Sequence, residues 1–339
     1  MNEWVAQQNL TVVIVMGVAA LALMVASSEQ AVKRLVGLAH YANLSTAFVG
    51  MTVVSLATSL PEITAHYTAS VGILRGSLDY QIGSAIVLGA NIGSDVIQQT
   101  LIMGIVVLGA GMLKFKRYFL VKSMLPMVAT TVMCLVLGWD GEYSRLDGAI
   151  LFGSFLAYTY YLYVDERKYY RKEDQHVSED VPTSGRQAAV WGLIAVAAML
   201  VTIASAQVVL SITEMVVSQT GIGGSFIGVV TLGVASALPE FITAMAGIRR
   251  KDQGIPLGTL VGSNITNPLM AIGGGALIST YWVPKPLLYW DLPWETLTGL
   301  VLWGILWATK GKLKRGHAIY LIVLYVVYVT LRAVLFLAD

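Results

Sequence analysis

The sequence predicts an all-α membrane protein of ten transmembrane helices, arranged as two inverted five-helix repeats. The chain of 339 residues is 56% apolar and only 12% charged, with a mean hydropathy of +0.70. Soluble domains carry about 25% charged residues. The apolar residues form ten long segments, and a sequence motif that contains a Pro-Glu pair occurs once in each half. These patterns favour a polytopic membrane protein, and we expect no nucleic-acid partner.

Each of the ten apolar segments is long enough to cross the hydrocarbon core as a helix. The first segment is long for a signal peptide and lacks a small-residue cleavage site, so we interpret it as a true span. In order, the segments lie at 10–32, 43–74, 80–109, 118–138, 145–164, 188–213, 222–248, 256–281, 291–309 and 317–337.

One long hydrophilic stretch, 165–187, separates five segments from the other five. Its mixed charges, Pro182 and Gly185 are typical of a solvated linker. The chain is therefore predicted to contain a first five-helix repeat over 1–164, this linker, and a second five-helix repeat over 188–339.

The distribution of basic residues predicts the orientation of the chain, because cytoplasmic connections are enriched in Lys and Arg. With both termini outside, the linker 165–187 is cytoplasmic and the inner connections hold nearly all basic residues. We expect an integral protein of a prokaryotic plasma membrane, surrounded by the lipid bilayer; a monomer is compatible with these patterns. Of the 22 Lys and Arg residues, the four that fall outside are Arg75, Arg145, Lys285 and Arg332.

The repeated motifs are LATSLPEIT at 56–64 and VASALPEFIT at 234–243. They align when the first half is shifted by 178 residues. Five segments per half is an odd number, so the two halves enter the membrane from opposite sides. Glu62 and Glu240 then occupy equivalent positions, where a carboxylate costs about 2.5–3.5 kcal/mol on insertion scales. The neighbouring prolines break the helices and free backbone carbonyls. Together these features predict a cation site near the membrane midplane.

A second pair of motifs follows in the next segment of each half: LGANIGSD at 88–95 and LGTLVGSN at 257–264. Glycines inside an apolar helix allow another backbone to approach closely. The motifs end in Asp95 and Asn264, which carry oxygen atoms at equivalent places. Asp95 is a third carboxylate deep in an apolar segment.

These paired motifs resemble the α-repeats of the calcium/cation antiporter superfamily, and the sodium/calcium exchanger branch is the most similar. The resemblance covers both repeats and, through the ten-segment topology, most of the chain. It implies a sodium/calcium exchanger-like fold in which the first and sixth helices slide against a central hub. It also implies a secondary transporter without cofactor, in which one site serves Ca²⁺ and Na⁺ by alternating access.

The resemblance further implies that Glu62, Asp95, Glu240 and Asn264 bind the cation. Ca²⁺ prefers six to eight oxygen ligands, and freed carbonyls or water could complete such a shell. The single cysteine, Cys134, lies elsewhere, which argues against zinc or copper and against a disulfide framework.

Hydroxyl and amide side chains are predicted around these four residues. Thr58 and Ser236 each lie four residues before a glutamate, on the same helical face, and match hydroxyl positions of the family. Five further residues are candidates for the surrounding shell: Ser59, Asn91, Gln98, Asn267 and His66.

The coupling ion stays open at this point. Three ionised carboxylates favour Na⁺ coupling, because proton-coupled relatives commonly keep only the two glutamates. However, Leu260 stands where exchangers usually carry serine, and Asp95 and Asn264 are exchanged relative to the arrangement expected in that branch. His66, one turn after Glu62, could titrate near neutral pH. Exchange of Ca²⁺ or another divalent cation for H⁺ is therefore the alternative.

An intramembrane enzyme with paired acids, such as an aspartyl protease, is an alternative of another class. Those enzymes resemble one another in a Gly-x-Gly-Asp motif, which is absent from this sequence. We therefore expect a transporter rather than an enzyme. Broken helices in an inverted repeat also favour alternating access over a passive channel.

Overall fold

The computed structural model describes residues 10–41, 55–169, 181–249 and 254–339, which form ten helical segments, α1 to α10. The first five are α1 (Leu10–Tyr41), α2 (Ser55–Thr58 and Leu60–Leu74), α3 (Tyr80–Ile97, Gln98–Ile102 and Met103–Ala110), α4 (Arg117–Phe119, Leu120–Met124 and Leu125–Leu137) and α5 (Arg145–Tyr169). The second five are α6 (Gly185–Thr220), α7 (Gly224–Ile227, Gly228–Leu232, Gly233–Ser236 and Leu238–Arg249), α8 (Gly254–Thr266, Asn267–Ile272 and Gly273–Ser279), α9 (Leu287–Asp291 and Leu292–Ala308) and α10 (Arg315–Leu335).

Each helical segment overlaps one of the ten predicted apolar segments, and α1 and α6 extend furthest beyond them. Both ends of the predicted linker 165–187 are helical, because α5 continues into it and α6 begins inside it. Its middle, 170–180, and the beginning of the second predicted segment, 43–54, lie outside the described residues. Six helices of the described part are, by length and composition alone, able to cross a membrane.

Two small antiparallel sheets join loops of the two repeats. Strand β1 (Met112–Lys114) pairs with β4 (Lys312–Lys314), and β2 (Glu142–Tyr143) pairs with β3 (Tyr281–Trp282). Each pair joins two connections that the basic-residue pattern predicts on the same side of the membrane. The sheets therefore tie the repeats together at two places away from the helical core.

The two repeats meet at the crossing of α3 and α7, where glycines bring the backbones into contact. A Cβ added to Gly89 would lie 2.2 Å from the carbonyl oxygen of Ser225, and one added to Gly228 would lie 2.3 Å from that of Ile86. Gly93, one turn after Gly89, packs against α7 in the same way. Small residues four positions apart commonly mediate such close packing in membranes. The expected role of the glycines in the first GSD-type motif is confirmed.

The helices α1 and α6 form a peripheral pair that packs mainly on itself. Both expose large apolar side chains along their length, including Val15, Leu23, Leu193 and Leu200. A surface pocket of about 640 Å³ lies beside the contact between this pair and α2. The pair is thus less tightly joined to the core than α3 and α7 are to each other.

Candidate cation site

Two helix breaks position the site glutamates. The α-helical pattern of α2 is interrupted at Ser59 (φ −77°, ψ 4°), and that of α7 is interrupted at Ala237 (φ −77°, ψ −6°). Pro61 and Pro239 follow each break by two residues. Proline lacks an N–H group and is tolerated in the first turn of a helix. Each glutamate therefore lies in the first turn of a new helix, where the helix dipole favours negative charge.

Hydroxyl groups from both repeats lie near the Glu62 carboxylate. The Ser94 hydroxyl, in α3, donates to Glu62 Oε1 at 2.7 Å. The Ser236 hydroxyl, from α7 of the second repeat, also lies beside this carboxylate. Glu62 itself is only 2% exposed.

Glu240 has the equivalent surroundings with the repeats exchanged. The Ser263 hydroxyl, in α8, donates to Glu240 Oε1 at 3.3 Å, and Thr58 from α2 of the first repeat lies beside the same carboxylate. The Thr58 and Ser263 oxygens are 3.4 Å apart. Each glutamate thus has one hydroxyl neighbour from its own repeat and one from the other.

The serines of this arrangement, Ser94 and Ser263, were missed by the sequence analysis. The signal was present, because each precedes the last residue of its GSD or GSN motif. Both predicted hydroxyl residues, Thr58 and Ser236, do lie beside a glutamate, although beside the one in the opposite repeat.

Asp95 lies within electrostatic range of the two glutamates and of a further acid. Its Oδ1 accepts a hydrogen bond from Asn267 Nδ2 at 2.9 Å, and the residue is fully buried. Its carboxylate interacts electrostatically with Glu62 and Glu240, and most strongly with Glu295 of α9. The structure therefore places four acids, not three, in this buried region.

Glu295 is the most substantial omission from the sequence analysis. It is 1% exposed and accepts a hydrogen bond from the Thr131 hydroxyl at 2.9 Å. The Leu-Pro pair before it recurs at 125–126, but the residue aligned with Glu295 is Val128, so internal symmetry does not single out this acid. An ionisable residue inside an apolar segment is itself a functional signal, and that signal was present in LPWETL.

Asn264 has hydrogen bonds on both sides of its amide. Its Nδ2 donates to the Leu260 carbonyl oxygen at 2.8 Å and to Gln98 Oε1 at 3.1 Å. Its Oδ1 accepts from Gln99 Nε2 at 2.7 Å. Gln98 in turn donates to Ser94 at 3.0 Å. Asn264 is therefore linked to the Glu62 surroundings through Gln98, in a different environment from that of Asp95.

The remaining predicted neighbours divide into two groups. His66 belongs to another cluster, because its Nδ1 lies 3.1 Å from the Tyr281 hydroxyl, which also lies 2.6 Å from that of Ser70. Ser59 and Asn91 are fully buried, and their side-chain polar atoms have no hydrogen-bond partner among the described residues. These two side chains are thus free to meet another polar group.

Among the described residues, no buried Lys or Arg is paired with the carboxylates of Glu62, Asp95 or Glu240. One oxygen of each of Glu62, Asp95 and Glu240 has no hydrogen-bond partner within the described residues. Within the described residues, Arg332 is the one fully buried Lys or Arg side chain. Its Nε atom is paired with Asp291 Oδ2 at 2.9 Å. Burying an unpaired charge is costly, and a bound cation would satisfy these oxygens.

A cation here would need ligands of several kinds. Over the described ranges, no three His, Cys, Asp or Glu side chains converge closely enough to hold a metal ion by themselves. Hydroxyl groups and backbone carbonyls at the two helix breaks are the other oxygens at hand. Such mixed oxygen shells suit hard cations, above all Ca²⁺.

The chain is similar to known membrane proteins over most of its length. The sequence matches the family described as "Sodium/calcium exchanger protein" over residues 12–164 and 189–334. It is 28% identical over 280 residues to the inner membrane protein YrbG of Escherichia coli K12, covering 80% of this chain and 82% of that protein. It is 23% identical over 342 residues to the sodium/calcium exchanger MaX1 of Methanosarcina acetivorans. This alignment covers 91% of this chain and 95% of MaX1.

A solved structure of the sodium-calcium exchanger NCX_Mj, soaked with Na⁺ and Sr²⁺, has the same fold. It aligns with 95% of this chain and 99% of its own length, with a TM-score of 0.64 and 20% sequence identity. This likeness confirms the predicted ten-helix membrane fold. The family match extends over nearly all of both repeats, so the chain belongs to the sodium/calcium exchanger family of membrane cation antiporters and is not an enzyme.

Proposed function

We propose that this antiporter exchanges Ca²⁺ for Na⁺ by alternating access, with Glu62, Asp95 and Glu240 as the principal cation ligands. The observation that carries the proposal is the unpartnered, buried oxygen on each of these three carboxylates. Oxygen ligands are those that Ca²⁺ prefers. The relative MaX1 is named as a sodium/calcium exchanger, which supports the same pair of ions.

Thr58, Ser236 and Asn264 complete the proposed ligand set. The two hydroxyls lie beside the glutamates, where their oxygens could share a cation with the carboxylates. The Asn264 carbonyl oxygen accepts from Gln99, and its second lone pair remains for an ion. Around them, Gln98 and Asn267 orient the ligands through hydrogen bonds, and Ser59 and Asn91 offer unpartnered polar atoms.

The same charges explain why transport would be coupled. An unloaded site would expose several buried negative charges to a low dielectric, which opposes a change of access. Ca²⁺ or several Na⁺ ions offset most of that charge. The protein would therefore change its access side readily only when loaded, so the release of one kind of ion must be followed by binding of another.

The proposed orientation keeps both termini outside and the linker 165–187 in the cytoplasm of a prokaryote. It follows from the distribution of basic residues. The two sheets are compatible with it, because each joins loops predicted on one side.

Purified protein in proteoliposomes tests the coupling directly. We expect uptake of radioactive Ca²⁺ when the vesicles contain Na⁺ and the bath does not. Vesicles loaded with K⁺ are the matched control and should show only background uptake. Uptake that ignores Na⁺ but follows a pH gradient would overturn the proposal.

The alternative, exchange of Ca²⁺ for H⁺, is favoured by one observation. Glu295 adds a fourth buried acid to the region of Asp95, and a proton could offset this additional charge. The structure does not support a role of His66 in proton coupling, because His66 lies beside Tyr281 and not beside the carboxylates. An acid-inside vesicle without Na⁺ distinguishes the two readings, since only proton coupling drives Ca²⁺ uptake there.

The unequal surroundings of Asp95 and Asn264 lead to a second prediction. Asp95→Asn alone should reduce transport strongly, because it removes one of three proposed carboxylate ligands. Adding Asn264→Asp restores the number of acids but replaces a donor that lies 2.8 Å from the Leu260 carbonyl oxygen. We expect the double variant to transport better than Asp95→Asn and less well than the unmodified protein. Equal loss in both variants would show that the two positions are not interchangeable in function.

A further inference from the structure

A series of hydrogen-bonded amide and hydroxyl side chains, here named the amide chain, connects α3 and α8 to the Glu62 carboxylate. Each of its members is 3% exposed or less. Its links are Gln99 Nε2 to Asn264 Oδ1 at 2.7 Å, Asn264 Nδ2 to Gln98 Oε1 at 3.1 Å, Gln98 Nε2 to Ser94 Oγ at 3.0 Å and Ser94 Oγ to Glu62 Oε1 at 2.7 Å. The amide chain therefore crosses from the first repeat to the second and back, and it ends on a proposed ligand of the cation.

One fixed acceptor sets the orientation of all the side chains in the amide chain. The Asn264 amide nitrogen also donates to the Leu260 carbonyl oxygen at 2.8 Å, and a carbonyl oxygen can only accept. The Asn264 oxygen then faces Gln99, which must donate to it. The Asn264 nitrogen faces Gln98, which accepts through Oε1 and keeps its own nitrogen for Ser94.

Every link of the amide chain donates in the direction of Glu62. Since Gln98 donates to the Ser94 oxygen, the single proton of the Ser94 hydroxyl is directed at the carboxylate. Hydrogen bonds in such a series polarise one another in a low dielectric, and a bond to a charged acceptor is stronger than a neutral one. The amide chain thus fixes one oxygen of Glu62 and leaves Oε2, which has no hydrogen-bond partner among the described residues, for a cation.

The beginning of the amide chain is supported by α9. The Thr298 hydroxyl lies 3.3 Å from Gln99 Oε1, and two carbonyl oxygens of its own helix lie 3.0 Å from it. Gly299 leaves room beside Gln99, because an added Cβ would lie 3.3 Å from the same oxygen. The segment Gln98–Ile102 is π-helical, and such segments frequently occur at functional sites. Two consecutive glutamines reach one asparagine from the start of this wider turn.

Among the described residues, the second repeat has no equivalent of the amide chain around Glu240. Asn267 occupies the position of Gln98, since each follows the last residue of its GSD or GSN motif by three. Its amide nitrogen donates to Asp95 at 2.9 Å and not to the serine beside Glu240. The distance from serine to glutamate is 2.7 Å at Glu62 and 3.3 Å at Glu240. The two glutamates therefore have similar first neighbours but different support behind those neighbours.

We propose that Gln98 and Gln99 are positioning residues that raise the affinity for Ca²⁺ by fixing the Glu62 carboxylate. They act through Asn264 and Ser94, and neither glutamine contacts the cation. A ligand that is fixed before binding loses less conformational freedom when the ion arrives. The inference rests on the proposed function, because it takes Glu62 as a ligand of Ca²⁺.

Variants that remove single links test the amide chain. Gln98→Met and Gln99→Met keep the length of the side chain and remove both of its polar atoms. Ser94→Ala disconnects the amide chain from Glu62, and each methionine variant is also made in that background. The matched control is Gln81→Met, which makes the same change at an exposed position of α3.

Equilibrium Ca²⁺ binding is measured for each purified protein, together with the midpoint of thermal unfolding without Ca²⁺. We expect the affinity to fall about tenfold in Gln98→Met, as for loss of one net hydrogen bond. In Gln99→Met, two links further from Glu62, we expect a loss of about threefold. In the Ser94→Ala background neither methionine change should lower the affinity further, which is the signature of residues acting as one unit in a double-mutant cycle. Gln81→Met should match the unmodified protein.

Losses that simply add in the Ser94→Ala background would overturn the proposal, since the glutamines would then act through general packing. Unchanged affinity in both methionine variants would contradict it as well. Should Gln98→Met fail to fold, Gln99→Met carries the same test through its own cycle. If the unmodified protein binds no Ca²⁺, the proposed function fails, and the unfolding midpoints then decide. Coupled effects of the Gln98 and Ser94 changes on the midpoint support the amide chain, and additive effects exclude it.

Discussion

Replacing Glu240 by glutamine should abolish Ca²⁺ transport while leaving the protein folded. The change keeps the shape of the side chain and removes one charge from a group that is fully buried and has an unpartnered oxygen. Removing one partner of a buried charge pair costs about 3–5 kcal/mol. At about 1.4 kcal/mol per factor of ten, Ca²⁺ affinity should fall by about 100-fold or more. Radioactive Ca²⁺ uptake and equilibrium binding in proteoliposomes measure both effects.

Glu62→Gln should behave in the same way, because Glu62 has equivalent surroundings in the other repeat. The matched control is Glu142→Gln, which makes the same chemical change at an exposed position in β2. We expect that control to transport normally. If Glu240→Gln retained more than about a tenth of the original affinity, the glutamate would not be a principal ligand.

The second large effect is expected at the crossing of α3 and α7. Gly89→Ala should destabilise the protein by about 3 kcal/mol or more, the upper end of the usual cost of overpacking. A Cβ at this position would lie 2.2 Å from a backbone oxygen of Ser225. No rotation of a side chain can relieve that contact, so the helices must separate. The midpoint of thermal unfolding in detergent should fall accordingly.

Gly153→Ala is the control for this prediction. Gly153 lies in α5 with no atom within 4 Å of an added Cβ, and alanine favours a helix by about 1 kcal/mol over glycine. Its unfolding midpoint should be unchanged or slightly raised. Equal midpoints for Gly89→Ala and Gly153→Ala would mean that the two helices can separate at no cost.

Features that depend on local chemistry were predictable from the sequence. Proline cannot continue a helix interior, so Pro61 and Pro239 predicted breaks, and the helices are interrupted two residues before each. Repetition then identified Glu62 and Glu240 as equivalent. The glycines of 88–95 predicted a close helix contact for the same reason, since glycine has no side chain to keep a neighbour away.

Features that depend on helix crossing were not predictable in this way. Thr58 was assigned to the glutamate four residues after it, yet it lies beside Glu240 of the other repeat. Helical spacing shows which residues share a face, but not which helix that face meets. Glu295 was missed for a related reason: it lies far along the chain and has no repeated partner, and only folding brings it near Asp95.

The exchange of hydroxyl neighbours between the repeats makes the two halves of the chain dependent on each other. Glu62 has Ser236 beside it, and Glu240 has Thr58 beside it. A single five-helix unit would present its glutamate with half of these neighbours missing. Each glutamate therefore depends on a residue that only the other half of the chain supplies. Neither half alone contains a complete set of these neighbours, so the two halves form one inseparable unit around the site.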